Sequence, residues 1–167
     1  MPHTLEMTRT FDATPARVFA CFTHKEEWNA WAGPYDIRGE VTLLEPRVGG
    51  RYRIVMHRPD GNNLVAGGEF QVLEEPSRLA FTWKWEHGQD TTLVTIFLRE
   101  VGGKTEMHFR HEGFTSEEDR NNHNYGWTGC LDKLSTYLST GARSALPPRA
   151  RRDAAQPFEH YRKGEMT

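Results

Sequence analysis

Residues 115–138 read TSEEDRNNHNYGWTGCLDKLSTYL. Apolar side chains recur at Trp127, Cys130, Leu131, Leu134 and Leu138, the spacing of one face of an α-helix. One turn further back the same face carries His123. Thr115, followed three residues later by Glu118, makes a capping box. Glu117, Glu118 and Asp119 put negative charge at the positive end of the helix dipole. Gly141 lies just past the last apolar residue, where a left-handed C-cap ends many helices. Gly126 and Gly129 stand inside the helix, where each costs about 1 kcal/mol relative to Ala. A close packing partner is therefore expected against them.

Almost everything before this helix reads as strand. Residues 4–11 alternate weakly and end at Asp12-Ala13-Thr14-Pro15. Thr14 as N-cap with Pro15 at the first helical position opens a helix over 15–23, and a second short helix covers 25–31 before Gly33-Pro34. From Ile37 onward the period changes to two. Strands are expected at 40–44, 51–57, 64–73, 78–86, 91–100 and 105–112, separated by Gly- and Pro-containing turns. Tyr52, Ile54 and Met56 share one face, Phe81, Trp83 and Trp85 another, and Met107, Phe109 and His111 a third. Gly67-Gly68 inside a strand predicts a bulge or bend. Short connections between successive strands make an antiparallel meander. With a long helix laid across it, the fold class is α+β.

The chain has 167 residues and a net charge of −2. It reads as one domain, 1–141, followed by a Pro- and Arg-rich extension over 142–167. Near-neutral charge gives no electrostatic case for nucleic acid. No run of 18 apolar residues exists, so no membrane span is expected. The N-terminus lacks the pattern of a secretory signal, and Cys21 and Cys130 fit no disulfide framework or zinc pattern. A cytoplasmic location follows as the default. The extension is expected either to be solvated or to pack on a second subunit of a homodimer through Phe158 and Tyr161.

Five groups of residues carry a resemblance. They are Trp31-Ala32-Gly33-Pro34, Gly49-Gly50-Arg51-Tyr52-Arg53, Phe81-Thr82-Trp83-Lys84-Trp85, the run from Thr105 through Met107, Phe109 and His111 to Gly113-Phe114, and Gly126-Trp127 with Leu131, Leu134 and Leu138. In order and spacing they resemble the activator-of-Hsp90-ATPase homologue 1-like branch of the START/Bet v 1-like (SRPBCC) superfamily, over about residues 5–140. The resemblance implies a helix-grip fold, in which a seven-stranded antiparallel sheet wraps round the long C-terminal helix and two short helices follow the first strand. It also implies a cavity for a hydrophobic ligand between helix and sheet. The family's namesake activates the Hsp90 chaperone with a separate N-terminal domain attached. Here only a few residues precede the first strand, which argues against an Hsp90-type partner.

The expected ligand-binding set is Tyr52, Ile54, Met56, Phe81, Trp83, Trp85, Met107, Phe109 and His111 from the sheet. His123, Trp127 and Leu131 face them from the helix, with Trp31 and Tyr35 near the mouth. Such pockets are mostly apolar with a few placed polar groups; the plainer alternative is that these side chains simply fill the core. His111 and His123 are the candidate catalytic residues for a cyclase- or hydrolase-type enzyme, since a buried His can move protons near neutral pH. The alternative is a core histidine bonded to a backbone carbonyl. His57, His87, His108 and His111 have no metal-ligand spacing, and no nucleophile elbow or phosphate loop is present, so neither metal nor cofactor is expected. The leading expectation is binding of a small hydrophobic or aromatic molecule. An enzyme and a protein-interaction module are the alternatives.

Overall fold

The computed structural model describes residues 2–144. The extension's Phe158 and Tyr161 lie outside the described residues. Strand β1 (His3–Phe11) leads into helices α1 (Pro15–Thr23) and α2 (Lys25–Asn29). Strands β2 (Arg38–Leu44), β3 (Arg51–His57), β4 (Leu64–Glu74), β5 (Arg78–Trp85), β6 (Thr92–Val101) and β7 (Lys104–Phe114) follow, and α3 (Glu117–Thr140) closes the chain. The sheet has seven strands in the order β1-β7-β6-β5-β4-β3-β2. Every pair is antiparallel. This is the expected α+β helix-grip arrangement.

Alternation decides which face of each strand is buried. In β3, Tyr52, Ile54 and Met56 are buried while Arg51, Arg53, Val55 and His57 are not. In β7, Met107, Phe109 and His111 point inward while Arg110 is exposed. In β6, Val94, Ile96 and Leu98 are buried while Phe97 is exposed. Leu131 and Leu134 of α3 pack onto the inward set. The sheet and the helix therefore share one core.

Two caps differ by a residue from expectation or confirm it outright. Thr14 Oγ1 accepts from the Arg17 amide at 3.2 Å, as its position before Pro15 predicts. At α3 the cap is Ser116, not Thr115: Ser116 Oγ accepts from the Asp119 amide at 3.0 Å. Ser116 is the residue with extended backbone directly before the first helical residue, the position from which a hydroxyl reaches the third amide on. Gly141 ends α3 in the left-handed conformation, φ 78°.

The bulge also moves. The register of β4 against β5 shifts between Phe70 and Val72 rather than at Gly67-Gly68. The glycine pair serves close approach instead. A Cβ on Gly68 would stand 1.9 Å from the Thr82 carbonyl oxygen. That oxygen accepts from the Tyr52 hydroxyl at 2.6 Å, while Thr82 Oγ1 accepts from the Glu69 amide at 2.9 Å. The sheet is thus stitched by side chains where glycine lets the strands crowd.

Candidate functional site

The space between sheet and helix is organised by two histidines. His111 projects inward from β7 and is fully buried. Its Nδ1 accepts from the Trp127 indole N–H at 3.0 Å, so in the neutral ring the proton sits on Nε2. Nε2 faces Thr92 Oγ1 at 2.7 Å, and that hydroxyl donates in turn to the Trp83 carbonyl at 3.1 Å. His123, on α3, accepts at Nε2 from the Trp85 indole at 3.0 Å. Its Nδ1–H then points to the Asp119 carbonyl at 2.8 Å, with Asp119 Oδ1 at 3.3 Å.

The two rings lie edge to face, centroids 5.4 Å apart. The sequence expectation that they approach each other holds, but each is tied into its own complete set of bonds. Burial, and then the neighbouring His123, hold the His111 pKa well below the usual histidine range. A tryptophan donor on one nitrogen also opposes protonation there, because indole has no acceptor to offer in return. Both nitrogens of each ring are thus engaged within the protein, and His123 is bonded to a backbone carbonyl.

Beside His123 lies a small cavity of about 10 Å³, enough for one water molecule. Of the expected ligand-binding residues, Trp31, Ile54, Met56, Trp83, His123 and Trp127 line it. Tyr35, Tyr52, Phe81, Trp85, Met107, Phe109, His111 and Leu131 do not. All of those except the half-buried Tyr35 belong to the packed interior around it. The ligand-sized cavity expected from the resemblance is therefore closed in this conformation. Trp28 of α2, absent from the sequence-derived set, also lines the small cavity. It stacks on Trp31 at 5.9 Å and on Tyr52 at 5.4 Å, filling the space above β3. The cavity's outer seam is made by Ala32, Gly33, Gly126 and Cys130. Gly126 is thus accounted for: it forms part of the cavity wall.

Gly129 has a different reason. The Tyr35 ring lies against it, so that a Cβ there would come 2.7 Å from Cε2. Tyr35 also packs against the Tyr125 ring of α3 in a tilted arrangement, centroids 4.6 Å apart. It reaches this position with φ 51°, the one non-glycine residue at positive φ among those described. Such a backbone is unfavourable for an L-residue. Two turns along α3, Lys133 Nζ donates to the Ile37 carbonyl at 2.7 Å and to Ser144 Oγ at 3.1 Å. Burial pulls its pKa down to about 8. The segment between α2 and β2 is therefore clasped to α3 by one strained tyrosine and one desolvated lysine. It forms the outer wall of the cavity.

A larger groove of about 390 Å³ opens on the outer face of the sheet, lined by Arg53, Glu69, Lys84 and Glu86 among others. Arg53 pairs there with Glu86 at 2.6 Å, the solvated outer face expected for its strand position.

A family model described as activator of Hsp90 ATPase homolog 1-like protein matches residues 12–139. The chain belongs to this family. Its fold recurs in solved structures of the same kind. The AHSA1 protein from Silicibacter pomeroyi is 23% identical with a TM-score of 0.75, the match covering 83% of this chain and 99% of that one. A protein from Rhodobacter sphaeroides is 26% identical with a TM-score of 0.71, over 81% of this chain and 92% of that one. A protein from Chromobacterium violaceum reaches a TM-score of 0.76 at 23% identity, over 81% and 96%. No curated protein matches the chain. Among the described residues of this family member, no helix is long and apolar enough to cross a membrane.

Proposed function

We propose that the protein binds a small hydrophobic or aromatic molecule between the sheet and α3. The observation that carries this reading is the wall of the space beside His123. Four tryptophans, Trp28, Trp31, Trp83 and Trp127, converge there with Ile54 and Met56. Gly126 is kept at the same wall, inside a helix where glycine is costly. A seam of small residues, Ala32, Gly33 and Gly126, borders the space on the side of the clasped segment. Binding requires the side chains to part, with Met56 the most adaptable of them. It also requires the 30–37 segment to ease away from α3. Strain at Tyr35 lowers the cost of that movement.

The test is thermal unfolding with a panel of fatty acids, aromatic hydrocarbons and polycyclic ketones at saturating concentration. A ligand that binds only the folded state raises the melting temperature with its concentration. At least one class should do so and should quench tryptophan fluorescence in parallel. A panel that leaves both signals unmoved removes the reading.

A further inference from the structure

One polar group at the cavity is left unused by the protein. Trp83 lines the cavity and is 3% exposed, and its Nε1–H is buried without an acceptor among the described residues. Three of its neighbours are committed. Trp31 donates to the Cys21 carbonyl at 3.2 Å and Trp127 to His111. His123 uses both ring nitrogens. Burial pushes the Cys130 thiol up to about 12, so it is a neutral, weak partner. No Lys, Arg, Asp or Glu is among the lining residues.

The cavity wall therefore offers indole donors, Trp83 foremost, no spare side-chain acceptor and no charge. Each absence selects against a ligand class. A carboxylate would be buried without a cation, which is costly. An alcohol or phenol could accept from Trp83, but its own proton would find no lining side chain free to take it. A carbonyl oxygen accepts and brings no proton of its own. The rest of the wall is aromatic, which favours a flat apolar body.

Resting on the reading above, we propose that the ligand is a neutral, flat apolar carbonyl compound, such as an aromatic ketone, whose oxygen accepts a hydrogen bond from Trp83 Nε1–H. The ketone oxygen satisfies an indole N–H that is otherwise buried unpaired, while the apolar body contributes burial.

The experiment compares 1-indanone, 1-indanol and indane, three probes of one shape, by calorimetric titration of the full chain. The indole N–H resonances are followed by nitrogen-15 NMR in parallel. Indanone is expected to bind about tenfold more tightly than either of the others, the size of one well-made buried hydrogen bond. The Trp83 indole resonance should move with indanone and stay with indane. Trp83→Phe should bring the three affinities together; the wild-type NMR result stands on its own if that variant folds poorly. Equal affinities for all three probes, or a Trp83 resonance unmoved at saturation, would overturn the carbonyl assignment while leaving a ligand pocket intact. If none of the three binds up to its solubility limit and the broad panel also fails, the binding reading itself falls.

Discussion

Trp127 of α3 donates its indole N–H to Nδ1 of His111 on β7 at 3.0 Å, across the seam between helix and sheet. This one bond sets the histidine's tautomer, the direction of the Thr92 hydroxyl and so the satisfaction of the Trp83 carbonyl. It also ties the helix to the sheet with direction, where the leucines of α3 supply contact without it. A buried polar chain of this kind is stabilising only while every member is paired.

The first prediction concerns pH. Because the folded protein holds the His111 pKa below its unfolded value, the unfolded chain binds the extra proton first as pH falls. Stability is therefore fully present above about pH 6.5 and is lost progressively below it, down to the folded-state pKa. His111→Gln can still accept from Trp127 and donate toward Thr92, but it does not titrate. Urea unfolding from pH 7.5 to 4.5 should show wild type losing stability relative to the variant below pH 6.5. At neutral pH the variant should be less stable by about 2 kcal/mol. Parallel curves across the whole range would show that His111 is not the titrating group.

A second prediction follows from Tyr35 and Gly129. Gly129→Ala gains helix propensity, about 1 kcal/mol, but its Cβ would meet the Tyr35 ring at 2.7 Å. In the wild-type background the two effects oppose, and a net loss of about 1 kcal/mol is expected. In a Tyr35→Ala background the clash is gone, and the same substitution should stabilise by about 1 kcal/mol. The change of sign, read from a double-mutant cycle in urea, is the diagnostic. A Gly129→Ala effect of the same sign in both backgrounds would mean that the ring does not press on the helix.

These residues also mark how far the sequence could be read. Strand faces were legible because a period of two leaves a side chain only two directions, and Arg51, Arg53 and Lys84 are hard to bury. The long helix was legible from its apolar stripe and acidic first turn. Trp28 was not, since a five-residue helix is too short to show a period. Nor was the left-handed Tyr35, because nothing in a tyrosine's chemistry announces positive φ; the glycine opposite it was the only hint. The cavity's size was beyond reach for a further reason. It depends on which rotamers four tryptophans choose, and that is decided by packing among distant elements.

The third prediction uses Lys133. Burial lowers its folded-state pKa to about 8, against about 10.4 in an unfolded chain. Between those values the unfolded state binds more protons, so stability should rise with pH through that window. Lys133→Met removes the titration but leaves the Ile37 carbonyl without its donor. The variant should be less stable at pH 7.5, and the gap should widen between pH 8 and 10 as the wild-type lysine sheds its charge. Urea midpoints at half-unit intervals measure this, and a gap that stays constant would rule out a depressed lysine.

The last prediction tests the stitch between β4 and β5. A Cβ on Gly68 would lie 1.9 Å from the Thr82 carbonyl oxygen and 2.7 Å from Thr82 Oγ1. Neither atom is the free end of a flexible side chain: the carbonyl is backbone, and it also receives the Tyr52 hydroxyl. Gly68→Ala must therefore push β5 away from β4 and break the Tyr52 bond, at about 3 kcal/mol. Tyr52→Phe removes the same hydroxyl bond without moving the strands, so it should cost only about 1 kcal/mol. The damage should also be local. Amide exchange should accelerate at 66–70 and 80–84, while the amides of β1 and β7 keep their protection relative to the new global stability. Equal losses for Gly68→Ala and Tyr52→Phe would mean that the strands can separate freely at the glycine pair. The close approach would then contribute nothing beyond the one hydroxyl bond.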